Sequence, residues 1–152
     1  MYTVYTDGAY MSSINCGGCS AIITHNGKIV KKLYKGFKNT TNNRMEIFGV
    51  IMALEYFTTS EEIEIYSDSS YVVNSINGQH VQKWFENQDF TKKNLDLWFR
   101  LLEALNIHNV KFHWVKGHNG HQFNEIADLY ATHSCTCLNI PIDEGTNIQK
   151  IS

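Results

Sequence analysis

The 152 residues hold 43% hydrophobic side chains and a formal net charge of −2, values typical of one globular domain over residues 1–152. Folding a chain of this length buries roughly 70% of its unfolded surface, so a single sizeable core is predicted. No apolar run reaches the ~18 residues of a membrane span, and "MYTVYTDGAY" lacks the regions of a signal peptide, so we expect a cytoplasmic protein without membrane contact.

The first third of the chain predicts three strands and a helix. "YTVYTDG" (2–8) alternates apolar and polar residues as a strand does. The segment 20–34 predicts a hairpin, because two β-branched runs flank Asn26-Gly27, the pair that a type I′ turn prefers. Residues 43–57 are apolar on nearly every side, which predicts a buried helix.

The rest of the chain alternates helices with strands. "IEIYSD" (63–68) predicts a strand that ends in an acid, and a helix follows at once. Residues 94–105 form an amphipathic pattern, so two or three helices are expected before the next strand, and residues 110–115 alternate again. Apolar residues spaced i, i+3, i+4, i+7 and i+8 from Phe123 predict a closing helix. Strands one, four and five are separated by crossovers and should be parallel, with the hairpin adding antiparallel strands at one edge.

The four cysteines allow two interpretations. Cys16-x-x-Cys19 and Cys135-x-Cys137 together offer four thiolates, as a zinc site does. The spacing matches known zinc motifs poorly, and without a secretion signal disulfides are not expected. Free and mostly buried thiols are therefore the favoured interpretation.

Two aspartates lie at strand positions where a ligand is expected to bind. Asp7 lies inside the first strand, a place that disfavours aspartate, and Gly8 behind it permits close backbone approach. Asp68 ends the fourth strand, at the edge of an open α/β sheet where ligands bind. Neighbouring parallel strands would bring the two carboxylates to about 5–10 Å of each other.

Two further carboxylates have ordinary alternatives. Glu46 could close a capping box with Asn43, yet its helix face continues with the apolar Val50 and Ala53. Asp128 borders an apolar stripe, but an exposed helix aspartate would also be common. Two carboxylates ~4 Å apart repel by about 4 kcal/mol at an effective dielectric near 20, so a cluster needs a cation. Oxygen-only ligands favour Mg²⁺ or Mn²⁺, and two such ions can clamp a phosphodiester.

Five blocks of the sequence resemble bacterial-type type 1 ribonuclease H. They occur in that family's order and span nearly the whole chain: "YTDGA" (5–9), "TTNNRMEIFGVIMALE" (40–55), "YSDSSYVVNSI" (66–76), "KNLDLW" (93–98) and "WVKGHNGHQFNEIADLYA" (114–131). The resemblance implies a ribonuclease H-like fold, a five-stranded mixed sheet flanked by helices. It also implies a monomer that cleaves the RNA strand of RNA/DNA hybrids with two Mg²⁺ ions, or Mn²⁺ in their place, leaving 5′-phosphate and 3′-hydroxyl ends.

The resemblance also assigns residues. The catalytic, metal-binding carboxylates are Asp7, Glu46, Asp68 and Asp128, and His118 is the auxiliary histidine of a mobile loop. By the same match, the residues expected to contact the hybrid are Gly8, Asn42, Asn43 and Ser69, together with Lys83, Trp84, Lys92 and Lys93 of a basic protrusion. Segment 82–94, which holds that protrusion, is shorter and less basic than in the family. The loop after Asp7 lacks the family's proline, and Ser70 replaces a glutamine.

Alternatives remain at this point. His118 could be a solvated loop histidine, although Gly117 and Gly120 on either side would let the loop move. Other nucleases of the same fold share the carboxylate cluster but lack the 40–55 block and the histidine loop. A hybrid-binding module without activity would be expected to lose a carboxylate, and all four are present.

Overall fold

The computed structural model describes residues 1–117, 120–137 and 139–145. Strands and helices follow one another in the order that the sequence predicts. Their bounds are β1 Tyr2–Met11, β2 Cys16–His25, β3 Lys28–Lys38, α1 Asn42–Tyr56, β4 Glu62–Ser67, α2 Ser70–Asn77, α3 His80–Glu86, α4 Leu95–Leu105, β5 Asn109–Trp114 and α5 Gln122–Ser134. The prediction left open whether two or three helices separate β4 from β5, and the structure has three.

The five strands form one mixed sheet in the order β3-β2-β1-β4-β5. β1 is parallel to β4, and β4 to β5, whereas β2 pairs antiparallel with both β1 and β3. The β2–β3 turn places Asn26 and Gly27 at φ of 52° and 77°, the left-handed values that a type I′ turn requires. These arrangements confirm the predicted topology and hairpin.

The register of the central strands sets the position of the site. Thr6 pairs with Ser67 in the parallel β1–β4 ladder. Asp7 and Asp68 are the next residues along these two adjacent segments and therefore lie side by side. β4 ends at Ser67, one residue earlier than predicted, and Asp68 therefore stands just beyond the strand. Its place at the carboxyl end of the sheet is the expected one.

Helices cover the sheet on both faces. Residues of α1 pack with Val4 and Ile65 in the larger hydrophobic cluster, which also takes in Trp98 of α4. Ala127 of α5 packs with Tyr5 and Ile22 in a second cluster. Since neighbouring residues of a strand point to opposite faces, Val4 and Tyr5 assign α1 and α5 to opposite sides. The two helices therefore bring side chains to the end of β1 from both faces.

The start of α1 lies unusually close to β1 at Gly8. A Cβ atom at Gly8 would lie 2.5 Å from the backbone nitrogen of Glu46 and 2.7 Å from the carbonyl carbon of Met45. These contacts are with backbone, which cannot rotate away as a side chain could. The absence of a side chain at Gly8 thus lets α1 bring Glu46 against the strand that carries Asp7.

A buried arginine ties α1 to distant parts of the chain. Arg44 is 2% exposed, and its guanidinium lies 2.7 Å from a carboxylate oxygen of Asp96 and 2.7 Å from one of Asp143. The hydroxyl of Thr40 donates to the same Asp143 oxygen at 2.7 Å. Burial acts to raise the pKa of Asp96, but hydrogen bonds from Arg44 and its positive charge together lower that pKa below its usual value. The network fixes the first turn of α1 from two sides.

Candidate active site

Three carboxylates meet at the carboxyl end of the sheet. Asp7 comes from β1, Glu46 from the second turn of α1, and Asp68 from the residue that follows β4. Each offers an oxygen, and these oxygens all lie within 4.8 Å of one another. Asp7 and Glu46 are each only 5% exposed. Carboxylates from three separate elements, brought this close and largely buried, require a compensating positive charge.

Asp128 approaches the same cleft from the other face of the sheet. It lies on α5 and lines the cleft together with the three carboxylates. Its charge and a side-chain hydrogen bond act on Asp7. The hydroxyl of Ser20 on β2 donates to the carbonyl oxygen of Ala127, which fastens α5 to the sheet one residue before Asp128. Asp128 is therefore not the ordinary exposed helix aspartate that the sequence analysis considered as an alternative.

The electrostatics of the cluster favour protonation or cation binding. Burial raises the pKa of Asp7, and the charges of Glu46, Asp68 and Asp128 raise it further. Burial also raises the pKa of Glu46, as does Asp68, while hydrogen bonds from Gly8 N–H and Asp7 act in the opposite direction. The cluster as it stands therefore carries more negative charge than its surroundings stabilise.

Glu46 does not cap its helix. α1 has Thr41 as its N-cap, whose hydroxyl accepts a hydrogen bond from the backbone nitrogen of Arg44 at 3.2 Å. Asn43 lies inside the helix. The capping-box interpretation of Asn43 and Glu46 is therefore wrong, and the buried Glu46 side chain is directed to the cluster instead.

The donor set fits a hard divalent cation. The three clustered side chains offer oxygen only, the donor type that Mg²⁺ and Mn²⁺ prefer. Oε2 of Glu46 is buried and has no hydrogen-bond partner in the part of the chain that the structure describes, so one acceptor is left for a cation. Within the described residues, no cysteine belongs to a cluster close enough to hold a metal. All four cysteines are free thiols, three of them buried, as expected.

The cleft around the carboxylates has a volume of about 420 Å³. Four residues expected to contact the hybrid line it, namely Gly8, Asn42, Asn43 and Ser69. Tyr71 also lines the cleft and was missed by the sequence analysis. Its hydroxyl accepts hydrogen bonds from Asn94 at 3.1 Å and from the indole of Trp98 at 3.3 Å, so its ring is fixed.

The predicted protrusion lies apart from this cleft. Lys83 and Trp84 belong to α3, and Lys92 and Lys93 to the segment that leads to α4. None of the four lines the carboxylate cleft. The ammonium of Lys92 lies 5.6 Å from the centre of the Trp84 ring and 4.0 Å from a carboxylate oxygen of Asp89. A basic and aromatic surface of this kind suits phosphate contacts away from the reaction.

The loop between β5 and α5 carries His118, which lies outside the described residues. Both ends of the loop are described. A Cβ at Gly117 would lie 3.0 Å from Oδ2 of Asp68, so the loop backbone passes close to that carboxylate. At the other end His121 is the N-cap of α5, and its ring packs 5.0 Å from that of Tyr5.

Comparison with known proteins decides the family. The RNase H family model matches residues 1–136. The chain is 42% identical over 146 residues to a ribonuclease H from Desulforamulus reducens, covering 93% of this chain and 91% of that protein. It is 44% identical over 134 residues to one from Caldicellulosiruptor saccharolyticus, covering 84% of this chain and 91% of that protein. The chain belongs to the ribonuclease H family.

A solved structure of the family agrees with this assignment. "LC9-RNase H1, a type 1 RNase H with the type 2 active-site motif" superposes with a TM-score of 0.78 at 28% identity, over 88% of this chain and 71% of that one. As a type 1 ribonuclease H, the chain is a metal-dependent endoribonuclease for the RNA strand of RNA/DNA hybrids. Across the part of the chain that the structure describes, no helix is long and apolar enough to cross a membrane.

Proposed function

We propose that Asp7, Glu46, Asp68 and Asp128 together bind two Mg²⁺ ions, with Mn²⁺ as a substitute, and so form the catalytic centre of this ribonuclease H. When bound, two such ions supply an activated water and stabilise the attacking and leaving oxygens of an in-line displacement. The observation that carries the proposal is the approach of three carboxylates within 4.8 Å, with Oε2 of Glu46 lacking a hydrogen-bond partner within residues 1–117, 120–137 and 139–145. The products would carry 5′-phosphate and 3′-hydroxyl ends.

The residues around the carboxylates would hold the hybrid. Asn42 and Asn43 lie at the exposed start of α1, where their amides can reach base edges and sugars. Gly8 and Ser69 flank Asp7 and Asp68 along the chain, and their backbone could approach the RNA strand closely. A 2′-hydroxyl is both donor and acceptor, and it is the group by which a protein distinguishes RNA from DNA.

The protrusion would contact the hybrid farther from the reaction. Lys83, Lys92 and Lys93 offer ammonium groups for phosphates, and Trp84 offers an apolar surface beside them. Such contacts set affinity and position without reading sequence. We further propose that the chain acts as a monomer and a single domain, because every side chain of the proposed site comes from one copy.

His118 is proposed as a proton carrier. A histidine with a pKa near 6.5 exchanges protons at neutral pH, and its loop begins at Gly117 beside the carboxylate of Asp68. It would take a proton from the reacting water or give one to the leaving oxygen, and assist departure of the product. Its protonation would be favoured by nearby phosphate and carboxylate charge.

The experiment compares end-labelled RNA/DNA hybrid, duplex RNA and duplex DNA, each with Mg²⁺ or with EDTA. We expect internal cuts in the RNA strand of the hybrid with Mg²⁺ alone, and fragments that a 5′-phosphate-dependent exonuclease degrades. Glu46→Gln keeps the size of the side chain but removes its charge, and it should nearly abolish cleavage and weaken Mg²⁺ binding. The exposed Glu103→Gln on α4 is the matched control. Full activity of Glu46→Gln, or comparable cleavage of duplex DNA, would refute the proposed site.

A further inference from the structure

A second and much smaller cavity lies beside the carboxylate cleft. Its volume is about 10 Å³, which is close to the space that one water molecule needs. Its lining residues are Thr6, Asp7, Asp68, Gly117, Asn124, Glu125 and Asp128. Asn42, Asn43 and Ser69, which line the larger cleft, do not reach it. The small cavity therefore contacts the carboxylates on a side that the proposed hybrid contacts leave free.

Asn124 brings hydrogen-bond donors to this cavity. It precedes Asp128 by one turn on α5, so the two side chains lie on the same face of the helix. Its Nδ2 atom is buried and has no hydrogen-bond partner among the described residues. Ionised carboxylates only accept hydrogen bonds, so an amide among them presents its donor end. A buried donor without a partner destabilises the fold, and a suitable acceptor removes this penalty.

We propose that one water molecule fills this cavity and that Asn124 is a positioning residue for Asp128 and Asp7. The water accepts a hydrogen bond from Nδ2 of Asn124 and donates its two hydrogens to carboxylate oxygens of the cavity. This arrangement satisfies the amide donor and fixes the orientation of carboxylates from opposite faces of the sheet. The inference rests on the proposed catalytic role of those carboxylates.

The consequence is a specific pattern of kinetic defects. Groups that hydrogen-bond to metal ligands and so orient them typically contribute 10- to 100-fold to metal affinity or activity. Loss of the Asn124 amide should therefore lower kcat and Mg²⁺ affinity by factors in this range. KM for hybrid should change by less than about twofold, because the residues proposed to hold the hybrid lie outside the small cavity.

The test uses Asn124→Leu, which keeps the side-chain size but removes the donors, and Asn124→Gln, which keeps an amide that can reach the carboxylates directly. Mg²⁺ binding is measured by calorimetry without substrate, alongside kcat and KM. Asn124→Leu should bind Mg²⁺ 10- to 100-fold more weakly, and Asn124→Gln should recover most of this loss. Gln122→Leu, an exposed amide on the same helix, is the matched control and should behave as wild type.

A crystal structure of the metal-free wild-type protein provides the second measurement. It should show an ordered water within hydrogen-bond distance of Nδ2 of Asn124 and of at least one carboxylate oxygen. Absence of that water, or wild-type kcat and Mg²⁺ affinity in Asn124→Leu, would overturn the proposal. Failure of the wild-type protein itself to bind Mg²⁺ would instead count against the proposed catalytic centre, so the two failures are distinguishable.

Discussion

Replacing Asp7 by Asn should make the metal-free protein more stable while nearly abolishing cleavage. Asp7 is 5% exposed, and its carboxylate lies within 4.8 Å of those of Glu46 and Asp68. Two unit charges at that separation repel by about 3 kcal/mol at an effective dielectric near 20. An amide of the same size removes this repulsion and also removes a proposed metal ligand.

The sign of the pH dependence follows from the raised pKa of Asp7, caused mainly by burial and then by neighbouring carboxylates. In the unfolded chain Asp7 loses its proton near pH 4, whereas the folded protein retains it to higher pH. The unfolded state then binds fewer protons, so wild-type stability falls as pH rises above about 4, by up to ~1.4 kcal/mol per pH unit. Asp7→Asn does not show this loss of stability, because an amide does not ionise. Its advantage should be near zero at about pH 4 and roughly 2–4 kcal/mol at pH 7.

The assay is urea denaturation in EDTA at several pH values between about 4 and 7, followed by circular dichroism. Asp89→Asn is the matched control. Asp89 is only partly buried and lies outside the carboxylate cluster, and hydrogen bonds from Thr91 lower its pKa, so its replacement should not stabilise the protein. Adding Mg²⁺ should reduce the advantage of Asp7→Asn, because cation binding relieves the repulsion in the wild type. An advantage that is absent, or that does not grow with pH, would refute the electrostatic reasoning.

Three further changes test other parts of the molecule. Gly8→Ala should destabilise the fold by roughly 1–3 kcal/mol in urea denaturation, since the added methyl would meet the backbone of α1; wild-type stability would contradict the close approach. His118→Ala should lower kcat by roughly 10- to 10⁴-fold with little change in Mg²⁺ affinity, and pH–rate profiles identical to wild type would exclude a proton-carrying role. The double substitution Lys92→Ala and Lys93→Ala should raise KM more than it lowers kcat, and the rise in KM should be smaller at high salt. Lys111→Ala, at an exposed position of β5, is the control. An unchanged KM at low salt would exclude the protrusion from binding.

Local patterns were sufficient to predict most of the fold. Alternation and β-branched residues marked the strands, and the Asn26-Gly27 pair marked the hairpin that the structure contains. Parallel pairing of β1 with β4 followed from the crossover between them, and it gave the proximity of Asp7 and Asp68. These features depend on neighbours in sequence or on a general rule of sheet topology.

Features that depend on tertiary packing could not be predicted from such patterns. The buried position of Glu46 depends on the close approach of α1 to Gly8, whereas its spacing from Asn43 equally suggested a helix cap. The role proposed for Asn124 depends on a small cavity lined by residues of α5, β1 and the end of β4. The spacing of residues along the sequence does not predict a cavity of this size, since its walls come from separate parts of the chain. The role of His118 stays a prediction.

The ion pair between Arg44 and Asp143 joins residues 99 positions apart, so the start of α1 depends on a segment that follows α5. All four carboxylates of the proposed site lie at or before residue 128, so a chain cut short before Asp143 would keep the site residues but lose this partner of Arg44. Without Asp143, a folded α1 would hold a buried guanidinium short of one partner, and removing a partner from a buried pair costs about 3–5 kcal/mol. That is a large fraction of the ~5–15 kcal/mol that stabilises a typical domain. The segment that carries Asp143 should therefore be needed for a stable nuclease site, although it supplies none of the four carboxylates.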